Sequence, residues 1–165
     1  MEIVEARNKV GGVSWGCLGS TYSMSYSEMA LSNGMIDGDL DTDAARTCDG
    51  HSVVDLGVDR VHTGKLRYYF NSQPEDQAQA YSMGYSADGQ NWKRYGDCSC
   101  GGGCGNSLGP WGVLPQPPEY WEIDLPTESF RYFDFSTACY DTHIREVQYI
   151  SSGIYFNLWE DLFEY

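Results

Sequence analysis

Basic residues are scarce in this chain: 10 Lys and Arg stand against 24 Asp and Glu over 165 residues, a formal net charge of -14 at pH 7. Such a field repels phosphate backbones and anionic headgroups, so nucleic acid and membrane surfaces are poor partners, while cations or a basic protein surface are favoured. No stretch has the apolar length needed to span a bilayer, which argues against membrane insertion. The start, MEIVEARNKVGG, has neither the basic region nor the apolar region of a signal peptide, so the chain is expected to carry no address. There is no Asn-x-Ser/Thr acceptor for glycosylation. Only three histidines occur, with no G-x-S-x-G and no H-E-x-x-H, so no assembled catalytic constellation is visible and the chain is expected not to be an enzyme.

Aromatic residues and glycine are plentiful instead: 13 Tyr, 5 Trp, 6 Phe and 19 Gly. That mixture suits strands joined by glycine-bearing turns. Alternation of apolar and polar residues predicts strands at 52–57, 65–71, 80–86, 120–125 and 130–136. The segment SADGQNW (86–92) predicts a tight hairpin tip at Asp88-Gly89, with Trp92 returning to the core side. A short helical turn is expected around Tyr26 to Leu31. The Gly- and Pro-rich run from Cys98 to Pro118 has no periodicity and is expected as a long surface loop, where binding function tends to sit. The length fits one domain, residues 1–165, and the strand spacing predicts two antiparallel sheets packed face to face, an all-β sandwich.

Six cysteines, Cys17, Cys48, Cys98, Cys100, Cys104 and Cys139, allow three disulfides in any of 15 pairings. Cys98, Cys100 and Cys104 would also suit a soft metal, with Cys139 or His143 as a fourth ligand, although C-x-C-x3-C is not a strong zinc spacing.

The loop NGMIDGDLDTDAA (33–45) carries Asp37, Asp39, Asp41 and Asp43 at every second position. An EF-hand would need Gly at its sixth place and Glu at its twelfth, where this chain has Thr42 and Cys48. A solvated loop of Asx turns remains one reading; a cation site is the other.

Five segments, in order, resemble the discoidin family, also called the coagulation factor 5/8 type C or galactose-binding-like domain. SYSEMALSNGMIDGDLDT (25–42) resembles its DG loop, VVDLG (53–57) its DLG strand, and YSMGYSADGQNW (81–92) its S-DG-x-x-W hairpin. FRYFDFS (130–136) resembles its RY strand and LWEDLFEY (158–165) its closing strand. The family's Trp soon after the loop Thr is missing, its second Arg after RY is replaced by Phe133-Asp134, and the segment 98–121 is longer than its counterpart.

The resemblance implies a jelly-roll sandwich and a structural calcium ion, with Asp37, Asp39, Thr42 and the Gly34 carbonyl as ligands and Glu160 or Asp161 reaching back from the last strand. Asp41 and Asp43 would then face solvent. It also implies a non-catalytic adhesion module of lectin type that binds a cell-surface glycan or polysaccharide. A sugar site needs an aromatic platform and fixed polar groups. Candidate rings are Trp111, Tyr120, Trp121, Trp15 and Tyr22, with Trp121 also readable as core; candidate polar groups are Arg46, His51 and Asn106. Arg46 could equally pair with Asp43 or Asp49, and His51 reads equally as a surface or strand-edge residue. The module would act outside the cell or on a virion surface, alone as a homo-oligomer or with partner proteins in an assembly. The alternative is a decoration protein of a virion or extracellular assembly that keeps the fold without a sugar site.

Overall fold

The computed structural model describes residues 3–12, 19–46, 50–72, 81–97, 119–137 and 142–151. They form eleven strands: β1 Glu5–Val10, β2 Thr21–Ser23, β3 Ala30–Leu31, β4 Ala45–Arg46, β5 Gly50–Arg60, β6 Lys65–Ser72, β7 Tyr81–Ser86, β8 Asn91–Asp97, β9 Trp121–Asp124, β10 Phe130–Thr137 and β11 Thr142–Ile150. Seven make one sheet in the order β2-β8-β7-β10-β5-β1-β3, and four make a second in the order β4-β11-β6-β9. Every pairing is antiparallel. The two sheets pack face to face in a sandwich, as the alternation had predicted.

Alternation decides what lies between the sheets. Leu66, Tyr68 and Phe70 of β6 meet Val54 and Leu56 of β5, Met83 and Tyr85 of β7, and Phe133 and Phe135 of β10 in one buried cluster. Trp121, half-buried, packs its ring edge against Phe70 at 5.6 Å between centroids, so it belongs to this core. The intervening residues of β5, β8 and β10 point to the far side of the seven-stranded sheet. There Val53, Trp92 and Tyr132 form a second cluster with Met24, Tyr26 and Met29, which lie just after β2. Trp92 is therefore buried as expected, but beneath this covering segment rather than between the sheets.

The hairpin between β7 and β8 turns where predicted. Gly89 takes a left-handed φ of 75°, and a Cβ there would press on Tyr132 and Tyr26 at 3.2 Å. Asp88 accepts the N–H groups of Gln90 and Asn91, which holds its carboxyl well below the usual range. The expected helical turn at 26–31 is shorter than anticipated: a single 3-10 turn at Tyr26–Glu28, after which Ala30–Leu31 pairs with β1.

Two of the resembling motifs are a single contact. Asp55 of the DLG strand lies opposite Tyr132 of the RY strand, and Arg131 grips the buried Asp55 with both nitrogens at 2.9 and 3.0 Å. This pair joins adjacent central strands, a structural task that explains why the pattern is recognisable.

Candidate functional site

The acidic loop begins in a 3-10 turn, Asn33–Ile36, whose Met35 is fully buried in the core. Asn33 Oδ1 accepts the Ala6 N–H at 2.9 Å, anchoring the turn to β1. From there the loop folds back on itself. The Asp39 N–H donates to Asp37 Oδ1 at 2.9 Å, the Asp41 N–H to Asp39 Oδ1 at 2.8 Å, and the Thr42 hydroxyl to Asp39 Oδ2 at 2.8 Å. The Asp41 N–H and, next, the Thr42 hydroxyl hold the Asp39 carboxyl below its ordinary value.

Asp43, expected to face solvent, is exposed and is also engaged by its neighbours. It takes both oxygens to Asn71 at 3.1 Å and one to Arg145 at 3.2 Å, and so ties the loop to β6 and β11. The side chain expected to reach into the loop from the last strand was Glu160 or Asp161, which lie outside the described residues. From β11, Glu146 does reach it: Glu146 Oε2 accepts the Gly38 N–H at 2.9 Å. Gly38 supplies a φ of 84° at that turn.

Glu146 is the unusual group here. It is buried, and its Oε1 has no hydrogen-bond partner among the described residues. Burial pushes its carboxyl up to about 7; Asp37 and Asp39 add to this, and the Gly38 N–H opposes it. An unpartnered buried carboxylate oxygen beside a second carboxylate is a place where positive charge is lacking. A hard cation suits such a donor set, because every available donor is oxygen. Among the described residues no group of three or more His, Cys, Asp or Glu side chains is poised to hold an ion, so backbone carbonyls would have to complete the shell. Gly34, expected to offer one, is exposed in the opening turn, where an added Cβ would lie 3.3 Å from the Ala44 methyl.

The sugar-site candidates separate sharply. Tyr120, just before β9, exposes 41% of its surface. Its ring lies 4.0 Å from the Arg67 guanidinium and 5.5 Å from the ring of Tyr69, both on β6. Arg67 is itself fixed by Glu122 of β9, which accepts from Nε at 3.1 Å and Nη2 at 2.7 Å. An exposed ring braced from behind by a tethered cation is a preformed flat surface.

His51 does not stand at the surface or at a strand edge. It sits on central strand β5, 1% exposed, with Nδ1 2.7 Å from Asp134 Oδ2. Its strand position faces the covered side of the large sheet, so its ring is committed to the interior and cannot meet a glycan. Tyr22, half-buried, covers the same group. Its hydroxyl donates to the same Asp134 oxygen at 2.7 Å, and its ring packs between Trp92 and the Arg94 guanidinium, 3.9 Å away. A Cβ at Gly84 would collide with the Tyr22 hydroxyl, so glycine is what lets the ring lie flat across β7. Arg46 is the last residue of β4, opposite His143 of β11. Trp15, Asn106, Trp111 and all six cysteines (Cys17, Cys48, Cys98, Cys100, Cys104 and Cys139) lie outside the described residues.

Sequence reasoning missed Glu146 and Arg67. Neither stands in a motif; for Arg67 the available signal was a charged residue between apolar ones inside a strand-length segment, and Glu146, next to Arg145, had no such signal.

No protein-family model and no curated protein matches this chain. Solved structures do match in fold. The first carbohydrate-binding module of family 32 from a family 31 glycoside hydrolase of Clostridium perfringens is 16% identical with a TM-score of 0.56, over 91% of this chain and 96% of that one. A family 32 module of a family 89 hydrolase from the same organism, in complex with GalNAc-β-1,3-galactose, is 13% identical at 0.52, over 89% and 94%. A pectin-binding carbohydrate-binding module is 14% identical at 0.51, over 85% and 94%. The chain thus has the galactose-binding-like sandwich fold of these carbohydrate-binding modules.

Proposed function

We propose that this chain is a non-catalytic module that binds a glycan or polysaccharide, with Tyr120 as the stacking ring and a calcium ion bracing the acidic loop. The observation that carries the reading is the exposed Tyr120 ring seated on Arg67 and Tyr69. A pyranose presents an apolar face to such a ring and turns its hydroxyls to the polar rim, where Glu122 of β9 and Gln148 of β11 flank Arg67 of β6. The fold-level neighbours agree in kind: one is described as pectin-binding and another is bound to GalNAc-β-1,3-galactose.

Calcium would take side-chain oxygens from Asp37 and Glu146, with the Gly34 carbonyl and other loop carbonyls completing the shell, and would supply the positive charge that the buried Glu146 oxygen lacks. The ion's task is mechanical: it fixes the loop to β11. Binding of the full chain and of Tyr120→Ala to immobilised glycans tests the sugar site. Retained binding by the variant across all glycans would remove Tyr120 from it. Thermal melting with and without chelator tests the ion, since a ligand held only by the native state must raise the melting temperature.

A further inference from the structure

A cavity lies on the flank of the sandwich, and Tyr120 is not among its walls. It measures about 300 Å³ and is walled by Tyr85, Lys93 and Tyr95 from β7 and β8 and by Pro126, Thr127 and Glu128 from the turn between β9 and β10. The place follows from topology. β9 is an edge strand of the four-stranded sheet, and the turn that follows it reaches β8 through Glu128 and Lys93.

The walls are held in place by their own bonds. The Tyr95 hydroxyl donates to the Asp124 carbonyl at 2.6 Å, joining β8 of the large sheet to β9, an edge strand of the small one. Lys93 Nζ donates to Glu128 Oε1 at 2.9 Å across the opening. Glu128 also shares a hydrogen bond with the Tyr85 hydroxyl. The Tyr85 and Tyr95 rings meet edge to face, 6.0 Å apart, as the aromatic wall. The pocket therefore offers rings on one side and an ammonium next to a carboxylate on the other.

Three classes of occupant can be compared. An anion would meet Glu128 within a protein of charge -14. A hydrocarbon would strip water from the Lys93–Glu128 pair and return no hydrogen bond. A neutral sugar ring has an apolar face for the tyrosines and adjacent hydroxyls that both donate and accept, which matches a carboxylate beside an ammonium. The volume is that of a small-ligand site. From this geometry we infer that the flank cavity at Lys93, Glu128 and Tyr85 is a second, independent binding site for a neutral saccharide unit. It rests on the proposal that the chain binds carbohydrate. Tyr120 and Asp124 stand at opposite ends of β9, roughly 13 Å apart along the strand, so a polymer could occupy both places where a single sugar occupies one.

Amide shift mapping of the full chain with galactose, glucose, mannose and N-acetylglucosamine tests this. For at least one sugar, shifts are expected at Lys93, Thr127 and Glu128, and they should persist in Tyr120→Ala. Lys93→Ala and Glu128→Gln should each weaken binding at the flank at least roughly tenfold, as loss of a charged hydrogen bond does, while leaving shifts around Tyr120 unchanged. Both side chains are well exposed, so these variants should fold, and an unchanged melting curve verifies it. Shifts confined to the surroundings of Tyr120 would overturn the second site and leave the first. Shifts at neither place would overturn both. Flank shifts that survive both Lys93→Ala and Glu128→Gln would refute the assigned chemistry.

Discussion

The two sheets carry much the same side chains on their outward faces, a tyrosine, an arginine and a carboxylate, and put them to opposite uses. On the large sheet, Arg94, His51 and Asp134 lie beneath the half-buried Tyr22 ring, and Arg94 and Asp134 are 2% and 0% exposed. On the small sheet, Tyr120, Arg67 and Glu122 form the same kind of array in contact with solvent. Desolvation sets the difference. Buried, a charged hydrogen bond becomes a structural obligation, because each partner is stranded without the other. In water the same bond is worth little, so it costs little to rearrange around a ligand. Residue type alone therefore does not mark a recognition surface; cover does.

The comparison can be broken most forcefully from the buried side. Asp134→Ala would leave the Tyr22 hydroxyl and the His51 ring without their acceptor and should cost about 3–5 kcal/mol of stability, read as a lower urea midpoint with an unchanged slope. A loss as small as that of a surface substitution would mean the network is not essential. On the wet side, Tyr120→Ala should reverse the pattern: glycan affinity falls roughly thirtyfold, about 2 kcal/mol, while stability moves by less than about 0.5 kcal/mol.

The acidic loop is intermediate between the two faces. Glu146→Gln removes a buried charge, so in chelator the variant should be more stable than the parent by about 1 kcal/mol, and added calcium should no longer raise its melting temperature. A variant that still responds to calcium would show that Glu146 holds no ion. The smallest effect is a pH dependence. His51 is shifted upward: burial opposes its charge, but the Asp134 carboxylate and the Gly12 backbone outweigh that penalty. The folded value thus exceeds the ordinary 6.5. The pair's stabilisation is fully present below that value and is lost as pH rises through the folded value. Urea midpoints of the parent should decline across that window relative to His51→Gln, whose profile should be flatter there.

Much of the architecture was legible because alternation between a wet and a dry face leaves a pattern of period two. That holds for 52–57, 65–71, 80–86, 120–125 and 130–136, each of which overlaps an observed strand. The strands without such a pattern went unseen. β1, EARNKV, buries only Ala6, and β8 buries an arginine where the pattern would call for an apolar side chain. β11 changes phase at an irregularity between Ile144 and Glu146, which breaks the alternation and hides a buried glutamate among ordinary acidic residues. The loop aspartates were readable from spacing, but the partner that reaches them is set by tertiary packing across more than a hundred residues. His51 was misplaced for a related reason: its burial depends on a tyrosine from β2 and an aspartate from β10, which no local window contains.

Tyr22 belongs to a three-residue strand at the margin of the large sheet, the sort of segment that peels away at small cost. Its hydroxyl nevertheless reaches past β8 and β7 to Asp134 on β10. The side chain works as a strap cast over two neighbours, so opening β2 also means breaking a bond deep in the sheet. Amide protons of Thr21–Ser23 should therefore exchange with solvent deuterium on the slow timescale of β10, and in Tyr22→Phe they should exchange as fast as a frayed margin.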